Sequence, residues 1–291
     1  MKLYLEEPWH SSVGNTPLIK IGPGLYAKLE TVNPTGSIKD RVVKYIVERA
    51  IESGELTSDS VMVEATSGNT GISLSAVGAV LGLPVKIVMP KNMSTERRQM
   101  MIAFGAEIIN VADSDFSAAI QKRNEMVENG CWSPMQFENF LNIDCHKNTT
   151  ISEILRQLPP STKFSAFVSG AGTGGTIMGA REALIERGLG THVCMVTPAE
   201  PADKHGIQGI GDGADYLANP DLCDVIMSVR TIDAKKRALT FAKTHGILVG
   251  ISSGANIWAA ESYIKTFKPA GSVVTILCDR GERYLSEPRD K

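Results

Sequence analysis

The chain has 291 residues, of which 43% are hydrophobic, and its formal net charge at pH 7 is −2. This is enough chain to bury one large core or two modest ones, and the balanced charge argues against nucleic acid or an anionic membrane as the main partner. No apolar stretch reaches the roughly 18 residues that a membrane span needs, and the first ten residues lack a signal-peptide core, so a cytoplasmic protein is expected.

Short apolar runs alternate with helical patterns along the chain. The runs are nearly continuous, as in strands covered on both faces, and they predict strands at 61–65, 85–89, 107–111, 164–169, 192–197 and 272–278. The spacing between them predicts helices over 38–53, 70–82, 95–104, 115–129, 147–157, 175–187, 233–245 and 255–267. This alternation indicates an α/β fold with two open, twisted, mostly parallel sheets flanked by helices.

The chain is predicted to form two α/β lobes. The smaller, mobile lobe comprises 38–145, and the larger lobe comprises 1–37 together with 146–291. The polar stretch 136–148 lacks periodicity and is interpreted as the crossover between them. Open parallel sheets bind ligands at the carboxyl ends of their strands, so the loops that lead into helices are the places to search.

The first such segment is "NPTGSIKDR", residues 33–41. Ser37 is a suitable N-cap and Asp40 completes an imperfect capping box, which places Lys39 in the first helical turn. The positive end of a helix dipole disfavours a cation and lowers the pKa of an amine, which suits a nucleophilic lysine. The alternative is a lysine that simply points to solvent.

The second segment is "EATSGNTGIS", residues 64–73, between a strand and a helix of small and apolar residues. Its amides, hydroxyls and carboxamide at a helix start form a cradle for a carboxylate or a phosphate. A turn chosen for tight packing is an equally open alternative.

The third segment, "SGAGTGGTIMG" at 169–179, has a glycine loop before a helix. Such a loop costs folding entropy and exposes N–H groups in an anion nest, so a phosphate is expected. The loop also matches G-x-G-x-x-G at Gly170, Gly172 and Gly175, and Glu200 follows at a distance suited to a ribose, so an NAD site stays open. A P-loop motif is absent from the sequence.

Two later segments could reach the same region. In "VGISSGAN", Ser252 and Ser253 face the site or serve as an ordinary helix start. In "ILCDRGERYLS", Cys278 stands at a strand end as a site residue or as a small buried hydrophobe. The charged residues that follow are interpreted as a solvated ion-pair cluster: Asp279, Arg280, Glu282 and Arg283.

Cysteines and histidines show no ligand spacing. The five cysteines are scattered without a CxxC pair, and the five histidines form no HExxH. Reduced thiols and no protein-held metal are therefore expected.

Taken together, these segments resemble the cysteine synthase (O-acetylserine sulfhydrylase) family of fold-type-II pyridoxal-phosphate enzymes. The match begins with "VGNTPLIKI" and "LYAKLETVNPTGSIKDR" and continues through "EATSGNTGIS", "MPKNMSTERRQMMIAFGAEI", "GAGTGGTIMG", "GISSGAN" and "CDRGERYLS". The last motif is similar to the B-type synthase. The resemblance implies a tryptophan synthase β-like fold, pyridoxal 5′-phosphate (PLP) as cofactor, and a homodimer.

The resemblance also implies roles for individual residues. Lys39 would bind the cofactor covalently and move the α-proton, and Asn69 would hydrogen-bond the cofactor's 3′-oxygen. The phosphate would be held by Gly172, Thr173, Gly174, Gly175 and Thr176. Ser253 would contact the cofactor, with Cys278 near its pyridine nitrogen. The substrate carboxylate would be bound by Thr66, Ser67, Gly68, Thr70 and Gln136.

The implied reaction makes L-cysteine from O-acetyl-L-serine and sulfide or thiosulfate. Phe140 and Ile143 replace two family prolines, and Asp212 and Asp215 bring acids to the "GIGDGAD" loop. Acids would repel a phosphate leaving group, so O-acetylserine is favoured over O-phosphoserine. A cystathionine β-synthase-like enzyme, an NAD-dependent oxidoreductase and a non-catalytic binding protein remain alternatives.

Overall fold

The computed structural model describes residues 3–5, 9–66, 68–92, 94–113, 115–211 and 216–286. They divide into two compact units, each considered by itself. The first contains the described residues of Met1–Gly14, Asn33–Asn139 and Arg283–Glu287, and the second those of Asn15–Val32 and Phe140–Glu282.

The strands in chain order are β1 (Leu18–Gly22), β2 (Leu25–Leu29), β3 (Met62–Ala65), β4 (Val85–Pro90), β5 (Glu107–Val111), β6 (Phe164–Gly170), β7 (His192–Pro198), β8 (Val225–Val229) and β9 (Ser272–Leu277). The helices are α1 (Trp9–Ser12), α2 (Lys39–Ser53), α3 (Asn69–Leu81), α4 (Thr95–Ala103), α5 (Phe116–Glu128), α6 (Leu141–Cys145), α7 (Ser152–Gln157), α8 (Gly175–Glu186), α9 (Thr231–His245) and α10 (Ile251–Phe267). A π-helical turn, His146–Ile151, joins α6 to α7, and short 3-10 turns lie at Glu30–Val32, Pro220–Leu222 and Gly281–Tyr284.

In the first unit, β3, β4 and β5 form a parallel sheet in that order. The strands β3 and β4 are almost completely buried, which explains their continuous apolar sequences. Side chains from α2 and α3 pack with these strands in one core, which includes Val47, Ile72, Met62 and Ile87. Helices α2 and α3 are thereby packed on the same core as the sheet.

In the second unit, six strands form a sheet in the order β1-β2-β9-β6-β7-β8. The pair β1 and β2 is antiparallel, and every other neighbouring pair is parallel. The parallel strands β6 and β9 are neighbours, so the loops at their carboxyl ends leave the same edge of the sheet. The predicted fold class, mostly parallel sheets flanked by helices, is confirmed.

The stretch 136–148 contains a boundary between the two units, after Asn139. It is helical from Leu141, and the π-helical turn that begins at His146 departs from regular 3.6-residue spacing. One local prediction was wrong. Helix α10 begins at Ile251 rather than at residue 255, so Ser252 and Ser253 lie in its first turn and are buried.

Candidate active site

Lys39 is the first residue of α2, as its position in the sequence predicts. The Ser37 hydroxyl accepts a hydrogen bond from the Lys39 N–H at 3.3 Å, although the residue in the cap position is Ile38. The Lys39 side chain is half-buried. The helix ends at Gly54 in a left-handed conformation, φ 80°, as predicted for a C-terminal glycine.

Asp40 does not complete a capping box. Its carboxylate accepts hydrogen bonds from the N–H of Thr35 at 2.7 Å, from the Thr35 hydroxyl and from the Ser73 hydroxyl. Burial raises the pKa of Asp40, and these hydrogen bonds oppose that rise. The capping prediction was wrong because the buried carboxylate needs several donors, and Thr35 and Ser73 supply them. Asp40 therefore ties the start of α2 to α3.

Arg283 belongs to the same cluster, so its interpretation as part of a solvated ion-pair cluster was wrong. Its side chain is only 3% exposed. One guanidinium nitrogen donates to Asn69 Oδ1, and the other donates to the Thr35 carbonyl at 2.7 Å. By contrast, Arg280 is exposed, as expected, and donates to the Thr31 carbonyl at 2.8 Å.

The predicted carboxylate loop also lies in the first unit. The Thr66 hydroxyl accepts from the Gly68 N–H at 3.2 Å, and the Thr70 hydroxyl donates to Gln136 Oε1 at 2.6 Å. Because that oxygen faces Thr70, the Gln136 amide NH2 is the donating end, which suits an anion. The structure therefore brings Gln136 to the start of α3. Ser67 lies outside the described residues.

Glu64 was missed by the sequence analysis, although an acid inside an apolar strand is a recognisable signal. It is fully buried, and its carboxylate accepts from the Gln136 N–H at 3.2 Å and from the Ala65 N–H at 2.8 Å. Arg123, also fully buried, lies 3.3 Å away and bonds Glu138 at 3.0 Å. Burial raises the pKa of Glu64 to about 7, despite the opposing charge of Arg123. Glu64 therefore holds the backbone of Gln136 in place.

This raised pKa predicts a pH-dependent contribution to stability. Between the ordinary value of 4.5 and about 7, folded Glu64 keeps a proton that the unfolded chain releases. Its contribution is therefore complete below pH 4.5 and is lost as pH rises through 7. The free energy of unfolding of the native protein, relative to Glu64→Gln, should fall by about 3 kcal/mol from pH 4.5 to 8. Urea unfolding of both proteins across this range measures the difference, and a pH-independent difference would contradict the assignment.

The glycine loop of the second unit is fixed by close packing. A Cβ on Gly172 would lie 2.2 Å from the Gly209 carbonyl oxygen, and one on Gly174 would lie 2.2 Å from the Ala218 nitrogen. Gly174 also has φ of +92°, in the left-handed region. These positions therefore require glycine because neighbouring backbone approaches them closely.

Two N–H groups of the loop are turned away from the neighbouring backbone. The Ala171 carbonyl accepts from the Gly211 N–H, and the Thr173 carbonyl accepts from the Leu217 N–H, both at 3.0 Å. In a trans peptide the N–H points opposite to the carbonyl, so the N–H groups of Gly172 and Gly174 point away from those neighbours. Helix α8 starts directly afterwards at Gly175, and its dipole favours an anion at the same place. This geometry fits a phosphate group.

Two residues behind the loop were not predicted. The buried Asn142 donates to the Thr173 hydroxyl at 2.9 Å, and the buried His146 bonds the Thr176 hydroxyl at 3.2 Å. The other ring nitrogen of His146 bonds the Thr150 hydroxyl at 2.9 Å. Both residues come from the stretch interpreted as a crossover, so α6 and the π-helical turn support the threonines of the loop.

Ser253 and Cys278 lie next to each other at the end of β9. The Ser253 hydroxyl accepts from the Cys278 N–H at 2.8 Å. Asn256, also missed by sequence reasoning, donates to the Ile276 carbonyl at 3.0 Å and to Cys278 Sγ at 3.4 Å, and its oxygen accepts from Gly170 at 2.8 Å. This buried carboxamide joins the ends of β6 and β9 without introducing charge.

Glu200, the residue on which the NAD alternative depended, has a different contact. Its carboxylate accepts from the Thr231 N–H at 2.9 Å at the start of α9. A carboxylate at a helix N-terminus is stabilised by the dipole, so Glu200 has a structural partner within its own unit.

Within the described ranges, no helix is long and apolar enough to cross a membrane. In the same part of the chain, no group of three or more His, Cys, Asp or Glu residues could hold a metal ion.

The described residues form an α/β protein. It carries an anion-binding loop at the start of one helix and a lysine in the first turn of another. Residues 10–279 match the family described as pyridoxal-phosphate dependent enzyme. The chain belongs to this family, and PLP is its cofactor. The loop at 172–176 fits the cofactor's phosphate by the geometry above.

The chain is also similar to individual enzymes of known name. The chain is 42% identical to cysteine synthase B of Campylobacter jejuni over 288 residues, which cover 94% of this chain and 95% of the relative. It is 37% identical to the structure of O-acetylserine sulfhydrylase isoform 3 from Entamoeba histolytica, with a TM-score of 0.89 and coverage of 99% and 92%. It is 33% identical to an O-acetylserine dependent cystathionine β-synthase from Helicobacter pylori, with a TM-score of 0.91 and coverage of 99% and 100%. The resemblance to cysteine synthases is thus confirmed.

Proposed function

We propose that the protein is a PLP-dependent cysteine synthase that replaces the acetoxy group on the β-carbon of O-acetyl-L-serine by sulfide or thiosulfate, with acetate as the leaving group. One observation carries the proposal: the starts of α2 and α3, which bear Lys39 and Asn69, are joined in one unit by Asp40, Ser73 and Arg283. A lysine and a carboxamide held on adjacent helix starts are suited to bind one cofactor. The 42% identity to a cysteine synthase supports the substrate class.

In this proposal, each residue has a defined task. Bound PLP acts as an electron sink for the negative charge at the substrate α-carbon. Lys39 binds the cofactor covalently, removes the α-proton and later returns it. Asn69 donates to the 3′-oxygen, and the loop from Gly172 to Thr176 binds the phosphate.

The substrate carboxylate binds at the start of α3. The loop residues Thr66, Ser67, Gly68 and Thr70, with the Gln136 amide, bind the carboxylate. Ser253 and Cys278 provide neutral partners at the cofactor ring, which favours elimination and replacement at the β-carbon. The acids Asp212 and Asp215, which lie outside the described residues, are expected to disfavour a phosphorylated donor.

The proposal includes three broader points. The protein is cytoplasmic, in agreement with five cysteines that are all free thiols. It acts as a homodimer, which light scattering on the purified protein tests. Residues 38–145 form a smaller, mobile lobe, and the rest forms the larger one.

Steady-state kinetics with alternative substrates test the function. We expect kcat/KM for O-acetylserine with sulfide to exceed that for O-phosphoserine by more than about tenfold, because uncompensated like charge is costly. It should also exceed that for serine, because hydroxide is a poorer leaving group than acetate. Homocysteine as nucleophile tests the cystathionine β-synthase-like alternative, which the Helicobacter pylori structure keeps open. A preference for O-phosphoserine would contradict the donor assignment, and loading with PLP without turnover of any donor would indicate a binding protein.

A further inference from the structure

The segment Arg283–Ser286 crosses the starts of two helices in the first unit. Arg283 reaches Asn69, the first residue of α3. At the start of α4, the Ser94 hydroxyl donates to the Arg283 carbonyl at 3.4 Å. The Ser286 N–H and hydroxyl donate to the Glu96 carboxylate at 3.0 and 2.7 Å. These contacts hold the Arg283 backbone in place.

The guanidinium decides how the Asn69 carboxamide is oriented. Arginine carries N–H donors and no acceptor, so the end of Asn69 that faces Arg283 has to be the oxygen. The NH2 group is then the donating end on the other side of the carboxamide. If Arg283 were absent, rotation by 180° about the last side-chain bond would exchange donor and acceptor at little steric cost.

A second contact fixes the guanidinium itself. Its other nitrogen donates to the Thr35 carbonyl at 2.7 Å, in the turn before Lys39. The N–H and the hydroxyl of Thr35 in turn bond Asp40. Arg283 thus spans the starts of α2 and α3 while remaining 3% exposed. A planar fork holds its donors in a fixed geometry that suits both contacts at once, whereas an ammonium group on a flexible stem fixes them less well.

We propose that Arg283 is a positioning residue that orients Asn69 as a hydrogen-bond donor toward the cofactor. The inference depends on the role given to Asn69 in the proposed function. It does not depend on which acyl donor or nucleophile the enzyme uses. Arg283 acts through Asn69 and has no part in the bond-making steps.

The absorption spectrum of the bound cofactor tests this role, because the ionised 3′-oxygen absorbs at longer wavelength than the protonated one. In the Arg283→Met holoenzyme, the ratio of the long-wavelength to the short-wavelength band should fall roughly fivefold, the effect of losing one ordinary hydrogen bond. The matched control is Arg280→Met, which removes an exposed arginine three residues earlier in the sequence. Its spectrum should match that of the native holoenzyme.

A double-mutant cycle separates orientation from general destabilisation. Asn69→Ala should lower the same ratio, and Arg283→Met should add no further change in that background. Arg283→Lys, which keeps the charge, should give an intermediate ratio, and it decides the outcome if Arg283→Met does not load with PLP. Native spectra in these Arg283 variants, or additive effects in the cycle, would overturn the inference.

These readouts separate the inference from the function. They need only bound PLP, so a protein with the expected spectra that fails to use O-acetylserine defeats the proposed function alone. An active cysteine synthase with an unchanged Arg283→Met spectrum defeats this inference alone.

Discussion

Replacing Lys39 by alanine is expected to lower kcat for cysteine formation by about 10³-fold, because the chain loses both its proton carrier and its covalent link to PLP. In the native protein, borohydride treatment should fix the cofactor permanently to its lysine. Peptide mass analysis should then find the cofactor on the Lys39 peptide. In Lys39→Ala the cofactor should be lost on denaturation. Cofactor binding through the loop at 172–176 should persist.

The matched control is Lys44→Ala on the same helix. Lys44 donates to the His10 carbonyl at 2.7 Å, and its side chain is half-buried like that of Lys39. Its replacement should leave kcat within about twofold, since a contact of this kind contributes only about 1 kcal/mol to stability and none to the chemistry. Attachment of the cofactor to another lysine, or near-native turnover by Lys39→Ala, would contradict the assignment.

Gly174→Ala should damage both stability and cofactor binding. The left-handed backbone costs an L-residue about 1–2 kcal/mol, and crowding against Ala218 adds about 1–3 kcal/mol. We expect the free energy of unfolding to fall by about 2–5 kcal/mol in total. Relief of the crowding would tilt the N–H groups of the loop, so PLP affinity should fall at least about tenfold. Urea unfolding and cofactor titration measure the two effects.

The control for this variant is Gly190→Ala. Gly190 is exposed, and a Cβ there would meet no atom within 4 Å. Its replacement should change the free energy of unfolding by less than about 1 kcal/mol, with either sign. Equal behaviour of the two variants would show that the loop tolerates side chains and would remove the packing explanation.

Strands were predictable from the sequence where a continuous run of apolar residues marked them. The strands β4, β6 and β7 have continuous apolar runs because both faces are covered. The limits of these strands and of β5 agree with the prediction to within a residue. The glycine loop was also recognisable from the sequence, but the close packing that requires glycine at its positions was not. The contacts of Gly172 with Gly209 and of Gly174 with Ala218 join residues far apart in the sequence.

Other features could not be predicted because a charged residue that normally lies at the surface is buried against a partner far away in the sequence. Strand β2 was missed, and it contains Lys28, which is fully buried beside Glu153 at 2.7 Å and Gln157 at 2.8 Å. A lysine normally marks an exposed position, and only the ion pair makes its burial tolerable. Arg283 was misinterpreted for the same reason, since its acceptors precede it by more than 200 residues.

The contact between Arg283 and Asn69 spans 214 residues of sequence. During synthesis, residues 33–139 leave the ribosome long before Arg283 does, and at about 5–20 residues per second the interval is on the order of ten seconds or more. Over that time the carboxamide that we assign to the cofactor lacks the group that fixes its orientation. Competence to bind PLP correctly is therefore expected to be acquired late, after most of the polypeptide has been made.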